Sequence, residues 1–122
     1  MGGVFARMYN KVYLQSQRFI LDTIQDIKEM QNGKGTFADI PNGKIHFVVK
    51  AYYLKWEYQF TVTDIGNNRS KVELDIDGEV KDKKDMILRM FVLLDSMLVA
   101  NTKIELSKKE QPESADGTMQ HA

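Results

Sequence analysis

Histidine is the usual proton carrier near neutral pH, and the 122-residue sequence holds two, His46 and His121. His121 sits in a polar C-terminal run, and His46 alternates with the apolar residues Ile45, Phe47 and Val49, which turns it toward water if the segment is a strand. With no cysteine and no histidine cluster at ligand spacing, the sequence implies no metal site, no haem and no other cofactor. Glu73, Asp75 and Asp77 could hold a hard cation or act as an acid–base pair, but Val72, Leu74 and Ile76 interleave them. That alternation reads as the wet face of a strand, with Lys50, Lys55 and Lys71 as nearby counter-charges. "DIDGE" lacks the remaining ligand positions of an EF-hand, and "NGKGT" lacks the first glycine of a P-loop and follows a helical pattern. No catalytic residue is assigned, and enzyme activity ranks third among the functional readings. Asn10 or Arg89 facing a cavity would be the places to look for it.

The aromatics offer more. "KAYYLKWEYQFTVTDI" gathers Tyr53, Trp56, Tyr58 and Phe60 within a few positions, and Phe47 precedes it. Such rings fill a core by area alone, but buried tyrosine and tryptophan also need hydrogen-bond partners, and ligand pockets join an apolar wall to a few such groups. Methionines at positions 30, 86, 90 and 97 would add an adaptable lining. The leading reading is a small apolar ligand, lipid-like or aromatic, enclosed by Phe47, Tyr53, Trp56, Tyr58 and Phe60 from the sheet and Met90, Leu94 and Met97 from the last helix. The second is a non-catalytic structural or interaction module that forms a homodimer through that helix.

The elements that must position these residues follow from periodicity. Val4, Ala6, Met8, Val12 and Leu14 fall on alternate positions, which predicts a first strand with that face inward. Ile20, Ile24 and Ile27 recur at helical spacing after Ser16, an N-cap residue type, and Asn32-Gly33 supplies a left-handed stop. Pro41-Asn42-Gly43 predicts a turn between two strands. Ile45, Phe47, Val49, Ala51 and Tyr53 then share one strand face, Trp56, Tyr58, Phe60 and Val62 the next, and Val72, Leu74 and Ile76 the last. From Asp82 the pattern is helical, with apolar residues around nearly the whole circumference and a polar stripe through Asp85, Arg89 and Ser96. An arc that wide exceeds what one sheet covers.

The expected architecture is α+β, one domain over 1–106 and a disordered polar tail over 107–122. Seventeen basic and seventeen acidic residues give zero net charge, which argues against a nucleic-acid partner, and the last helix carries too many charges for a membrane span. "MGGVFARMYN" lacks a signal-peptide apolar run, so the expected compartment is the cytoplasm.

Three segments, "NKVYLQSQRFILDTIQDIKEM", "KWEYQFTVTDIGNNRSKVELDI" and "DMILRMFVLLDSML", taken in order, resemble the first strand and small helix, the late hairpin and the terminal helix of the helix-grip fold of the START-like, or Bet v 1-like, superfamily. The resemblance implies a terminal helix lying across a concave antiparallel sheet and an apolar ligand held between the two. About five strands are expected where that superfamily usually has seven.

Overall fold

The computed structural model describes residues 9–119, with side chains to Lys108. Val4, Ala6, Met8 and His121 lie outside the described residues. The chain runs β1 (Asn10–Tyr13), α1 (Gln17–Met30), β2 (Lys34–Asp39), a 3₁₀ turn (Ile40–Asn42), β3 (Lys44–Ala51), β4 (Leu54–Gly66), β5 (Arg69–Gly78) and α2 (Lys83–Met119). All strand pairs are antiparallel, in the order β1-β5-β4-β3-β2, so the first strand joins the sheet beside the last. The fold class is α+β: a five-stranded sheet with both helices packed on one face.

Ser16 caps α1 by accepting from the Phe19 N–H, and the apolar period then buries Ile20, Leu21, Ile24 and Ile27. Asn32 ends the helix region in a left-handed conformation. Gly43 closes the β2–β3 turn at φ 73°, where a side chain would strike the Val62 carbonyl. Asn67 and Asn68 both take positive φ in the two-residue turn between β4 and β5, which is the chemistry a right-twisted hairpin favours. Asp82 caps α2 through the Asp85 N–H, and Asp85 pairs with Arg89 at 2.8 Å.

The core forms where these faces meet. Phe47, Phe60, Val62 and Val72 from the sheet, Ile20, Ile24 and Ile27 from α1, and Ile87 and Leu94 from α2 are completely buried. The Phe47 ring stacks near Phe60 at 6.1 Å and tilts against Tyr58 at 5.3 Å. Asn101 donates to the Thr23 hydroxyl at 3.0 Å, fastening α2 to α1.

Two side-chain placements are corrected. Val12 and Leu14 face outward, because pairing with β5 sets Lys11 opposite Val72 and Tyr13 opposite Ser70, on the buried side. A one-residue difference in register reverses every side chain on a strand, and here Tyr13 takes the inner position and reaches Asp95 on α2. Tyr53 does not continue the inner face of β3: Ala51 pairs with Leu54, so Tyr52 and Tyr53 form a two-residue turn and Tyr53 is 92% exposed. The wide apolar arc expected on α2 is present, since Leu88, Val92 and Val99 stand exposed beside the polar Arg89 and Ser96. The helix also continues past residue 107 to Met119, through the stretch whose polar sequence leads one to expect no structure. Contact with the rest of the domain fades earlier, because residues 103–108 are all exposed.

Candidate functional site

Among the described residues, large apolar side chains meet between the sheet and α2. Phe47, Phe60 and Leu94 each have no exposed surface, and they form a floor. At the C-terminal end of α1, however, lies an open cleft of about 280 Å³ lined by Gln31, Tyr58, Met86, Arg89, Met90 and Leu93. Its position follows from local chemistry. Gln31 is the C-cap of α1, held by its backbone N–H on the Ile27 carbonyl at 3.1 Å. Gly33 lets the departing chain pass against the Phe47 ring, which a Cβ would meet at 2.6 Å. Tyr58 projects from the middle of β4, opposite Phe47 on β3 and Ile76 on β5. The first turns of α2, fixed by the Asp82 cap, supply the remaining wall.

The cleft is apolar through its methionines, Leu93 and the Tyr58 ring, with a few polar groups set into it. Gln31 Oε1 is buried and has no hydrogen-bond partner among the described residues. The Trp56 ring meets Tyr58 edge-on at 6.4 Å and 85°, and its indole N–H interacts with the Tyr58 phenol. Burial pushes the Tyr58 phenol above its ordinary value, against a smaller opposing pull from the Trp56 indole. Arg89 at the rim is already matched by Asp85. An amide, a phenol, an indole and a compensated guanidinium can orient a ligand, and none of them exchanges protons readily at neutral pH.

Of the residues singled out in the sequence, Tyr58 and Met90 line the cleft and Trp56 packs beside it. Phe47, Phe60 and Leu94 support it from within the core. Met97 packs partly buried against the core farther along α2, and Tyr53 stands apart at the β3–β4 turn. Periodicity gave no signal for Gln31, a polar residue just past a helix end. Arg89, a place to look for catalysis in the sequence, lines the cleft while bound to Asp85.

Two polar clusters lie elsewhere. On the outer face of the sheet, Thr36 and Gln59 donate to the Glu57 carboxylate. Those two bonds, with a weaker pull from His46, hold Glu57 below the usual carboxylate range despite slight burial. At the opposite sheet edge, Tyr13 and Lys11 donate to the two oxygens of Asp95 at 2.6 and 2.7 Å. Burial first, then the hydrogen bond and charge of Asp95, hold the Tyr13 phenol well above its ordinary value. Asp75 of the carboxylate stripe pairs with Lys83 at 3.0 Å, and no group of three potential metal ligands occurs among the described residues. No helix among them is long and apolar enough to cross a membrane. No protein-family model matches the sequence, and no curated protein matches it as a relative.

Proposed function

We propose that the protein binds a small, largely apolar molecule, lipid-like or aromatic, in the cleft between the antiparallel sheet and α2. The observation that carries this reading is a buried polar atom in the cleft lining that has no partner among the described residues, Gln31 Oε1, set beside an apolar surface. A buried polar atom without a partner costs about 1–3 kcal/mol, so a ligand offering one donor to Gln31 would recover free energy that the protein alone forgoes. Because Asp85 already neutralises Arg89, the cleft favours a neutral head such as an amide or hydroxyl over a carboxylate. The volume lies near the lower end for ligand sites, which points to a single ring or short chain. The element order, with a long final helix over an antiparallel sheet, also supports the likeness to helix-grip proteins. The binding surface would be the open end of the interface, its deeper part being occupied by Phe47, Phe60 and Leu94.

Trp56 is the single tryptophan, so its emission reports on the site. Benzamide has nine heavy atoms and at a typical ligand efficiency would bind with about −4 kcal/mol, a Kd of about 1 mM. The expected result is a saturable change in Trp56 emission with benzamide and a weaker one with benzoate. Gln31→Leu should weaken benzamide binding while making the free protein more stable, since it removes the buried unsatisfied acceptor. A Gln31→Leu protein that is less stable and binds benzamide unchanged, or a wild type with no saturable response, would refute the assignment.

A further inference from the structure

Leu88, Val92, Val99 and Leu106 on the outer side of α2 are 49%, 64%, 55% and 56% exposed. Together with Asp95 and Thr102 they repeat at alternating steps of four and three residues, the spacing of a coiled-coil seam. The two polar members are already satisfied within the chain. Both Asp95 oxygens are occupied by Tyr13 and Lys11, and the Thr102 hydroxyl donates to the Leu98 carbonyl at 2.7 Å. Neither would be left unpartnered if the seam were covered. The body-facing residues Ile87, Phe91, Leu94 and Leu98 follow the same alternation on another side of the helix, so α2 carries two apolar stripes and its own domain covers one.

From these observations we infer that the outer stripe of α2 pairs with the same stripe of a second copy, antiparallel and about a two-fold axis. Self-pairing suits a seam with 3.5-residue periodicity, and zero net charge puts no overall repulsion between copies. The polar positions decide the direction. Parallel helices would bring the two Asp95 residues, each with its Lys11 partner, into one layer, whereas antiparallel helices place each Asp95 against Val99 of the second copy. The antiparallel register also sets Leu88 against Leu106 and Arg89 against Glu105 of the second copy. Two of the six seam positions, Asp95 and Thr102, are polar, so the dimer is weak, with a Kd of about 10 μM.

Sedimentation of the full chain should show monomer near 1 μM and mostly dimer at about 200 μM. Val92→Glu replaces an exposed side chain and should fold normally by circular dichroism, yet remain monomeric at the higher concentration. The chain has no cysteine, so direction can be read by disulfide formation. An equimolar mixture of Val92→Cys and Thr102→Cys proteins should form the heterodisulfide, and Val92→Cys alone should not cross-link. A monomeric wild type at about 200 μM, a Val92→Glu protein that dimerises as well as wild type, or efficient cross-linking of Val92→Cys to itself would each overturn the inference.

Discussion

Asp95 joins the last helix to the first strand across 82 positions of sequence, and breaking that link should produce a loss divisible by partner. The Tyr13 hydroxyl donates to Asp95 at 2.6 Å from a side chain only 8% exposed, so it is the strong contact. A hydrogen bond to a charged group contributes about 1.5–3 kcal/mol. Lys11 reaches the other oxygen at 2.7 Å, but both partners are partly exposed, which limits that pair to about 0.2–1 kcal/mol. Asp95→Ala should therefore cost about 2–3 kcal/mol, Tyr13→Phe about 1–2 and Lys11→Ala under about 1. Urea denaturation followed through Trp56 fluorescence gives these values, and a double-mutant cycle isolates the couplings. We expect about 1–2 kcal/mol between Tyr13 and Asp95. Additivity of the two substitutions within about 0.5 kcal/mol would refute the assigned strength of the contact. The same contact fixes the sign of an alkaline effect. The folded state holds Tyr13 protonated above its ordinary range, so this stabilisation is complete below about pH 10 and is lost as pH rises beyond it. Each such tyrosine steepens the decline by about 1.4 kcal/mol per pH unit, and Tyr13→Phe should remove that share while Tyr58, shifted the same way, keeps its own.

Other substitutions probe the scaffold. Gly43→Ala would set a methyl 2.0 Å from the Val62 carbonyl at positive φ, and should cost more than about 3 kcal/mol in chemical denaturation. Leu94→Ala opens a void beneath α2 where no surface is exposed and should lower stability by about 2–5 kcal/mol. Asp82→Ala removes the cap of α2 and should cost about 1 kcal/mol, read as a Tm drop of several degrees. Tyr53→Ser should change stability by less than about 0.5 kcal/mol, because the residue packs on nothing in its turn.

The parts of the molecule that were legible in the sequence are those where one local rule decides the outcome. Ile20, Ile24 and Ile27 sit on the buried face of α1 because helical spacing allows them no other common side, and Ser16 and Asp82 cap where their chemistry suggests. Trp56, Tyr58, Phe60 and Val62 likewise share one face of β4. Residues with two locally acceptable positions went the other way. In β1, Val12 and Leu14 outweigh Lys11 and Tyr13 by hydrophobicity, but a carboxylate on a distant helix reverses the preference by receiving both polar groups. Tyr53 satisfies alternation, yet a two-residue turn interrupts the strand before it. Gln31 carries no periodic signal because its importance arises only when α2 passes beside it. The breadth of apolar surface on α2 was visible, and the structure shows which part of it, Leu88, Val92 and Val99, the sheet leaves uncovered. Both proposals arise from that geometry: one side of α2 closes a core and leaves a cleft at its N-terminal end, and the other carries apolar residues that its own sheet cannot reach. They are physically separable, since Met86, Met90 and Leu93 bound the cleft whereas Val92 and Val99 face away from it. Val92→Glu should accordingly abolish pairing and leave benzamide binding intact.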